Sequence, residues 1–445
     1  TDRLIDRLGV KHAVAVTGPA AEKGCLFANI VVDKRYFAGR GGLGLVMAGK
    51  GLKYIRVTGT GRTEIYDKGE LMQAREEIFR LAAASPILQG EFGIARYGTG
   101  ALYDLMHSRR MMPTGNFRQT RFEHAERMNA WHYKQRYGFK KTGCAGCHIL
   151  CKKNGTGNEE LPEFETMSHF SALLNNSDLD TVMAANRLCN VLGMDTISAA
   201  ATLACHAEIS GRELGSREIL SLLEDTAYGR NEGALLNQGA YRYAAKKSKP
   251  ELAMTVKKSE LPAYDPRGVY GMALAYTTST RGGCHLRAYP ISYEILRKPV
   301  VTDRFETSGK ARIVKISEDQ NGVIDSLTAC KFLFFAATLE EYARALYGAT
   351  GMATTAQDLL LTGERIYYQE RMMNASNGFT SRDDDLPARF FTEAGSSSAT
   401  ITIPAINREA FLASRADYYK IRGLDENGMP RKDKCEALGL EWKDS

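Results

Sequence analysis

The sequence predicts an α+β protein that has a short β-containing start and two mainly helical regions behind it. Strand-like runs, AVAVTGP and YIRVTGT, lie on either side of a glycine-rich turn within the first 62 residues. From about residue 63 apolar residues recur at helical spacing, and a polar, proline-containing run interrupts that spacing near residue 254. We therefore predict domains at 1–62, 63–254 and 255–445.

Each region carries a local signal for its elements. In the first, the turn runs from Ala38 to Gly44. In the second, Asp178 can cap a helix that ends at Gly193, and another helix starts at Asp195. The apolar positions of the first of these helices are Leu179, Val182, Met183 and Leu188. In the third, the run from Thr338 to Glu341 has the capping-box arrangement of a helix start.

Composition indicates an ordinary globular protein, since 44% of the 445 residues are hydrophobic and 25% are charged. The net charge of +7 favours an acidic protein partner but lacks the basic clustering of nucleic-acid binders. No apolar run is long enough for a membrane helix and no signal peptide opens the chain, so we expect a cytoplasmic protein. Thr1 begins a segment typical of the middle of a helix, and we expect further sequence before it.

Nine cysteines without export signals favour metal or redox use over a disulfide framework. Cys144, Cys147 and Cys151 form a C-x2-C-x3-C run that brings three thiolates near one metal centre. The spacing favours an iron–sulfur cluster with a distant fourth ligand; zinc and unligated cysteines remain the alternatives. Basic residues crowd the run and either attract an acidic electron carrier or form a solvated face. They are Lys134, Arg136, Lys140, Lys141, Lys152 and Lys153.

Two further segments contain candidate acid/base residues. Glu163 and Glu165 follow a Leu-Pro pair and precede His169; a buried carboxyl here would suit proton transfer, whereas an exposed pair is ordinary surface. The segment from Ser279 to Arg287 places His285 after two glycines that let backbone approach a ligand. A packed or capping histidine is the alternative.

Two related strings, Asn190 to Asp195 and Asp325 to Cys330, lie where a turn meets a helix. Such turns leave amides free to hold a heterocycle or a phosphate. The alternative for the first string is a purely structural one, in which Gly193 ends one helix and Asp195 caps the next.

Taken in order, these motifs resemble the aldehyde:ferredoxin oxidoreductase family over nearly the whole chain. The supporting stretches include GRGGLGLVMAGKGLKYIRVTGTG, CAGCHILC, LPEFET, NRLCNVLGMDTIS, TSTRGGCHLR and DSLTACKF. The resemblance implies tungsten or molybdenum held by two pterins between two helical domains. It also implies that residues 1–62 are the end of a β-rich, pterin-covering N-terminal domain, whose remainder belongs to another chain or to a longer protein.

The resemblance assigns roles to individual residues. The ligands of a 4Fe–4S cluster would be Cys144, Cys147, Cys151 and the distant Cys330. The acid/base pair would be Glu165 and His285. The cradle for the pterins, their phosphates and a bridging Mg²⁺ would comprise Arg40, Gly41, Asn190, Asp195, Arg287, Asp325, Ala329 and Cys330. Two positions depart from the family pattern, because Asn190 replaces an Asp and Thr328 replaces a Gly.

The activity implied is oxidation of a small aldehyde to a carboxylic acid, with electrons leaving through the cluster to ferredoxin or a ferredoxin-like subunit in an anaerobe. Glu165 would deprotonate the attacking water or hydrate, and His285 would hydrogen-bond the substrate oxygen. Three alternatives stay open: a paralogue with another substrate, including the branch that reduces aromatic thioesters; an iron–sulfur relay subunit without tungstopterin; and a zinc-stapled helical protein. Homo- and hetero-oligomers are both compatible with the sequence.

Overall fold

The computed structural model describes residues 13–442 and confirms the α+β class. The helix-like segment predicted at Thr1 lies outside the described residues. The strands are β1 (Ala13–Thr17), β2 (Ile30–Val32), β3 (Tyr36–Ala38), β4 (Tyr54–Val57), β5 (Lys140–Thr142), β6 (Lys152–Asn154), β7 (Thr255–Val256) and β8 (Ser259–Glu260).

Four strands near the start form one antiparallel sheet in the order β3-β2-β1-β4. Ala15 in the middle of β1 pairs with Val32 of β2 on one side and with Ile55 of β4 on the other. Both runs predicted as strands therefore form strands. All four residues of β4 are exposed, so this edge of the sheet faces away from the rest of the molecule.

The predicted first and second regions contribute short helices and four longer ones. They are α1 (Pro19–Glu22), α2 (Leu43–Gly49), α3 (Lys68–Ala84), α4 (Pro86–Gln89), α5 (Ile94–Tyr97), α6 (Leu102–Ser108), α7 (Ala130–Tyr137), α8 (Phe164–Phe170), α9 (Leu179–Leu192), α10 (Thr196–Ile209), α11 (Ser216–Tyr228), α12 (Gly233–Leu236) and α13 (Gly239–Lys246). The hairpin β5–β6 interrupts them.

The predicted third region is helical apart from the β7–β8 hairpin. Its helices are α14 (Tyr270–Thr278), α15 (Ile291–Glu294), α16 (Lys310–Ser326), α17 (Leu339–Thr350), α18 (Ala356–Ser376), α19 (Arg389–Thr392), α20 (Arg408–Arg422) and α21 (Lys432–Ala437). Helices α16 and α18 pack along each other, and α17 packs against α3 of the second region.

The predicted helix caps are confirmed. The Asp178 carboxylate accepts from the N–H of Asp180 at the start of α9, and Gly193 ends that helix with a φ of 79°. The Asp195 carboxylate accepts from two N–H groups at the start of α10. Thr338 and Glu341 form the capping box of α17. Local chemistry therefore sets the boundaries of these helices.

The main hydrophobic core draws on all three predicted regions, with Phe27, Phe164, Tyr276 and Tyr418 among its members. The regions pack around shared apolar residues, and the proposed domain boundaries stay predictions. Of the helices formed by residues 13–442, none is both long enough and apolar enough to span a lipid bilayer.

Candidate active site

A cavity of about 490 Å³ lies where the three predicted regions meet. Its lining includes Arg40 from the turn after β3, Glu165 from α8, Asn190 and Asp195 from the α9–α10 connection, and His285 from the loop after α14. The fold thus brings five of the residues predicted for catalysis and cofactor binding to one enclosed space.

Glu165 lies in the first turn of α8 with its side chain 17% exposed, toward the cavity. The backbone N–H of Ala263 donates to Glu165 Oε2 at 2.9 Å. Burial raises the pKa of the Glu165 carboxyl to about 8, although that hydrogen bond and the charge of Arg40 act to lower it. Glu165 therefore gains and loses its proton close to neutral pH, as a general acid or base requires.

His285 lies beside Glu165 on the cavity wall, with its Nε2 atom 3.5 Å from Glu165 Oε1. Burial, followed by the positive charges of Arg40 and Arg281, holds the pKa of His285 well below its usual range. The ring of Tyr264 packs at 5.5 Å from the imidazole. The pair at neutral pH consequently consists of a largely protonated carboxyl and an uncharged imidazole.

His169 is a further neighbour of Glu165 to which the sequence analysis gave no role. Its Nδ1 atom lies 2.8 Å from the backbone oxygen of Glu165 and 3.5 Å from Oε2, and its Nε2 lies 3.3 Å from the oxygen of Leu261. Burial lowers the pKa of His169 to about 4. The four-residue spacing of Glu165 and His169 places them on one helix face and was the available signal.

Arg40 connects segments that are far apart in sequence. Its Nη1 donates to Asp195 Oδ2 at 3.3 Å, while Nη2 donates to Ser259 Oγ and the Glu260 oxygen at 2.6 Å and to the Gly283 oxygen at 2.9 Å. The next residue, Gly41, has a φ of 93°, a conformation that favours glycine. The predicted phosphate-side loop is therefore anchored to the α9–α10 connection and to the His285 loop.

Asn190, the residue that replaces the family's Asp, is paired with a carboxylate. Its Nδ2 donates to Glu160 Oε2 at 3.5 Å, and Glu160 lines the same cavity. Lys152 lies 3.2 Å from the other oxygen of Glu160, yet burial is the larger effect and raises the pKa of Glu160. Sequence reasoning missed Glu160, since nothing distinguishes it from its neighbours Glu159 and Glu163 in the same acidic run.

The second of the two strings predicted to bind pterin, Asp325 to Cys330, belongs to a separate charged group beside the cavity. Asp325 Oδ2 lies 3.5 Å from Nη1 of Arg287 and 3.0 Å from Nζ of Lys331, and Arg287 also pairs with Glu370. Lys331 itself lines the cavity. Five of the residues predicted for the cofactor cradle lie outside that lining: Gly41, Arg287, Asp325, Ala329 and Cys330.

Four residues that line the cavity each carry a buried polar atom that makes no hydrogen bond within residues 13–442. They are Oδ1 of Asn29, Nε of Arg40, Oε1 of Glu165 and Nδ1 of His285. Buried polar groups in folded proteins nearly always have partners, and leaving one unpaired costs about 1–3 kcal/mol. This set of unsatisfied donors and acceptors fits a polar bound group such as a pterin cofactor and its substrate.

The three clustered cysteines lie in the loop closed by the β5–β6 hairpin, where Thr142 pairs with Lys152. Cys144 and Cys330 are exposed, and Cys147 and Cys151 are half-buried. Burial, and then the charges of Cys147 and Cys144, raise the pKa of Cys330. The distant cysteine is therefore an electrostatic neighbour of the other three.

Packing also joins the two segments. Phe332 and Leu333, just after Cys330, pack with Cys147 and Cys151 against a small buried cluster that includes Ile149. Within residues 13–442, no three His, Cys, Asp or Glu side chains are arranged around a single-ion site. A 4Fe–4S cluster binds each thiolate to a different iron, so its ligands stand farther apart than those of one ion. The four thiols suit the cluster in number and chemistry.

The basic residues around these cysteines divide into two groups. Arg136 pairs with Asp180, and Lys152 lies within 3.4 Å of Glu163 as well as near Glu160, so their charges are compensated. Lys153 is buried. Lys134 is half-buried, with its ammonium 5.2 Å from the centre of the Tyr97 ring. Lys140 and Lys141 are exposed and can meet an acidic partner, although the Lys140 ammonium also donates to the backbone oxygen of Thr156.

Family models match both parts of the chain. A model described as aldehyde ferredoxin oxidoreductase, domains 2 and 3, matches residues 73–440, and one described as the N-terminal domain of the same enzyme matches residues 1–59. The tungsten-containing aldehyde ferredoxin oxidoreductase of Pyrococcus furiosus is 36% identical over 97% of this chain and 74% of its own length. The enzyme of the same name from Thermococcus kodakarensis is 35% identical over the same shares.

More distant similarities extend to other named activities. A protein of Pyrococcus furiosus named as the WOR-like subunit of an aliphatic sulfonate oxidoreductase is 25% identical over 96% of this chain and 70% of its own. The active-site complex BamBC of benzoyl coenzyme A reductase, solved with 1,5-dienoyl-CoA, has a TM-score of 0.80 at 19% identity. That alignment covers 99% of this chain and 75% of the other. At this identity the likeness supports the fold alone.

Proposed function

Because the chain belongs to the aldehyde ferredoxin oxidoreductase family, we propose that it oxidises an aldehyde to a carboxylic acid and passes the electrons through a 4Fe–4S cluster to a ferredoxin-type acceptor. The observation that carries the proposal is the buried pair of Glu165 and His285, 3.5 Å apart in a cavity lined by unsatisfied polar atoms. Both groups line the same cavity and are placed to act on one small molecule bound beside them.

The cradle for a tungsten or molybdenum bis-pterin with its Mg²⁺ would comprise Arg40, Gly41, Asn190, Asp195, Arg287, Asp325, Ala329 and Cys330. When bound, this group supplies the acceptor for the electron pair that leaves the aldehyde. Four unsatisfied polar atoms at the cavity, on Asn29, Arg40, Glu165 and His285, support its placement there. The cluster would be held by Cys144, Cys147, Cys151 and Cys330.

The balanced reaction is aldehyde plus water giving carboxylic acid, two protons and two electrons. Glu165 in its ionised form takes a proton from the attacking water as the new C–O bond forms. A pKa of about 8 leaves a minor but usable ionised fraction at neutral pH. Neutral His285 donates one N–H to the substrate oxygen and thereby orients the carbonyl carbon toward the water.

Electrons leave singly, since a 4Fe–4S centre carries one at a time. The exposed side chains of Lys140 and Lys141, close to Cys144 in sequence, support docking of an acidic iron–sulfur carrier on this face. All nine cysteines are free, which suits a reducing compartment such as the cytoplasm of an anaerobe.

The test is anaerobic purification followed by elemental analysis for W, Mo and Fe and by an assay of aldehyde-dependent reduction of benzyl viologen. The proposal expects pterin-bound metal, about four irons per chain and dye reduction that requires aldehyde. Iron without tungsten or molybdenum, together with no dye reduction, would identify an electron-relay subunit instead.

A second candidate is the same cofactor chemistry on another substrate. The relative named for an aliphatic sulfonate oxidoreductase favours keeping it, because that protein aligns with 96% of this chain. The assay above separates the two candidates when an alkyl sulfonate is offered in place of the aldehyde. An aromatic thioester, which would be reduced, is tested in the opposite direction, by the reoxidation of reduced benzyl viologen.

A further inference from the structure

His169 lies directly behind Glu165 on helix α8 and is fully buried. The four-residue spacing places the two side chains on one face of the helix, one turn apart. Glu165 lines the candidate active-site cavity, whereas His169 is not part of that lining. His169 therefore contacts Glu165 but does not reach a molecule bound in the cavity.

The distances around the imidazole ring of His169 indicate which of its nitrogens carries the proton. Nδ1 lies 2.8 Å from the backbone oxygen of Glu165, and Nε2 lies 3.3 Å from the backbone oxygen of Leu261. Burial lowers the pKa of His169 to about 4, so at neutral pH the ring is uncharged and has a single N–H group. The shorter contact has the normal length of a hydrogen bond and the longer one does not, which assigns the N–H group to Nδ1.

The same Nδ1–H group lies beside the carboxyl group of Glu165. Nδ1 is 3.5 Å from Oε2, the carboxyl oxygen that also accepts from the N–H of Ala263 at 2.9 Å. Oε2 therefore has two N–H groups next to it, one from α8 and one from the segment after β8. Oε1 makes no hydrogen bond to any described residue and lies 3.5 Å from Nε2 of His285. The two carboxyl oxygens thus have different surroundings, and Oε1 is the one left open beside His285.

We propose that His169 is a positioning residue for the proposed aldehyde oxidation: its Nδ1–H group holds Glu165 so that Oε1, rather than Oε2, takes the proton of the attacking water. This inference rests on the proposed function. In the step concerned, an O–H bond of water breaks, the water oxygen bonds to the carbonyl carbon, and the proton goes to Oε1. His169 keeps its own proton throughout, and the overall balance is that of the proposed reaction.

Charged and titratable groups from other segments face this pair. Arg40, Asp195 and Cys284 act on the Glu165 carboxyl, and the charge of Arg40 also disfavours a second proton on His169. The other groups whose pKa values are shifted by the charge of Glu165 or His169 are His285, Tyr264, Tyr276 and Tyr289. Because the pKa of His169 is about 4, this residue stays uncharged above about pH 5, and a pH effect of replacing it is expressed through Glu165.

Two variants separate the hydrogen bond of His169 from its packing. In His169→Asn the new amide nitrogen can take the position of Nδ1, whereas in His169→Gln it lies one carbon farther out, near the position of Nε2. Glutamine is closer to histidine in volume, so a role in packing alone predicts that His169→Gln is the milder change. The proposed role predicts the opposite order.

The expected loss concerns turnover and the pH profile rather than substrate binding. In His169→Gln, kcat should fall by about tenfold to a hundredfold with KM changed less than about twofold, whereas His169→Asn should stay within about threefold of the parent. A donor beside a carboxylate favours its ionised form, so loss of the Nδ1–H group raises the pKa of Glu165. The midpoint of the rise of kcat/KM with pH should therefore move up by about half to one unit in His169→Gln alone.

The matched control is His206→Gln. His206 is also buried, and its Nδ1 lies 2.6 Å from the hydroxyl of Tyr243, but it is not part of the cavity lining. This variant measures the general effect of replacing a buried histidine by glutamine. Its kcat and its pH profile should equal those of the parent.

Infrared titration of the Glu165 carboxyl keeps this inference separate from the proposed activity. In the purified full chain, the C=O band of protonated Glu165 is identified by its absence in Glu165→Gln, and its disappearance with rising pH gives the titration midpoint. That midpoint should rise in His169→Gln and should match the parent in His169→Asn and His206→Gln. Equal effects of the two His169 variants on kcat or on the midpoint, or a milder effect of His169→Gln, would overturn the inference. The expected order of midpoints in a protein that oxidises no aldehyde would instead overturn the proposed function and leave His169 as the residue that positions Glu165.

Discussion

Glu165 and His285 are held by contacts within the fold, whereas the predicted cluster cysteines lie in loops near the surface. Glu165 belongs to a regular helix and accepts a hydrogen bond from Ala263. Cys144 and Cys330 are exposed, and the residues near the cysteines include two non-glycine residues in the left-handed region, Leu150 with a φ of 49° and Thr328 with a φ of 52°.

This difference indicates which of the two sites is positioned by packing and hydrogen bonds of the polypeptide. Packing and hydrogen bonds within the chain position Glu165 and His285, the acid/base pair of our proposal. At the cysteines the backbone adopts conformations that cost roughly 1–3 kcal/mol each, and such strain persists only when surrounding bonds compensate for it. The metal–thiolate bonds of the proposed cluster would supply such compensation.

The largest expected effect tests the catalytic side of this contrast. Glu165→Gln should retain tungsten and iron but lose about a hundredfold to ten-thousandfold in aldehyde turnover, because the isosteric amide cannot accept the proton. Metal analysis and benzyl viologen reduction measure both properties. Glu159→Gln is the control, since Glu159 lies outside the cavity lining. Full activity in Glu165→Gln would remove this carboxyl from the mechanism.

The next effect tests the cysteine side. Cys330→Ser should lose most of the iron and the brown absorbance of the cluster, because three thiolates on one loop cannot hold the fourth iron site. The thermal midpoint should fall as well, since metal bonds at this site compensate for strain. Cys435→Ser serves as the control; Cys435 is buried far along the chain and its thiol donates to the Leu440 oxygen. Unchanged iron in Cys330→Ser would show that the cluster ligands are other residues.

A smaller effect concerns the pH dependence of thermal stability and tests whether the Glu165 carboxyl is buried. Its pKa is raised from 4.5 to about 8 on folding, so its protonated form is favoured in the native state. The stability it contributes is fully present below pH 4.5, declines as the pH rises toward 8, and is lost above that. In cofactor-free protein, the thermal midpoint of Glu165→Gln relative to the parent should therefore increase between pH 5 and pH 9. A constant difference across that range would mean that the carboxyl is not buried in its acidic form.

The smallest effect tests strain near the cysteines. Thr328→Gly should raise the free energy of unfolding of the cofactor-free protein by about 1 kcal/mol, because a β-branched residue at a φ of 52° is replaced by one without that penalty. Thr362→Gly, inside α18, should lower it instead, since glycine is a poor helix former. Urea unfolding curves measure both. A loss of stability in Thr328→Gly would show that the loop is not strained in this way.

The sequence predicted the helix caps, which depend on residues that are close together in the chain. The caps at Asp178, Asp195 and Thr338 follow from residues within four positions of each other, and all three form as predicted. The roles of Glu165 and His285 came from the family resemblance. The structure places the two side chains next to each other on the wall of one cavity. Those roles remain predictions.

The surroundings of the site could not be predicted in the same way. The N–H of Ala263 that meets Glu165 and the carboxylate of Glu160 that meets Asn190 come from 98 and 30 residues away, and neither carries a motif. The contacts of Phe334 and Phe335 with the ring of Tyr289 are not marked in the sequence either, since two adjacent phenylalanines are typical of many partly buried turns. Long-range packing decides these contacts, and no local pattern records it.

The four hydrogen bonds of Arg40 have a consequence for how the protein is made. Their partners lie 155, 219, 220 and 243 residues farther along the chain. During synthesis, the last of these contacts cannot form until Gly283 has left the ribosome, and contacts of such long range are slow to form. The pocket walls are consequently completed late in folding, after the lining residues up to Phe335 have been made, so the proposed cofactor would enter a chain that is already mostly synthesised.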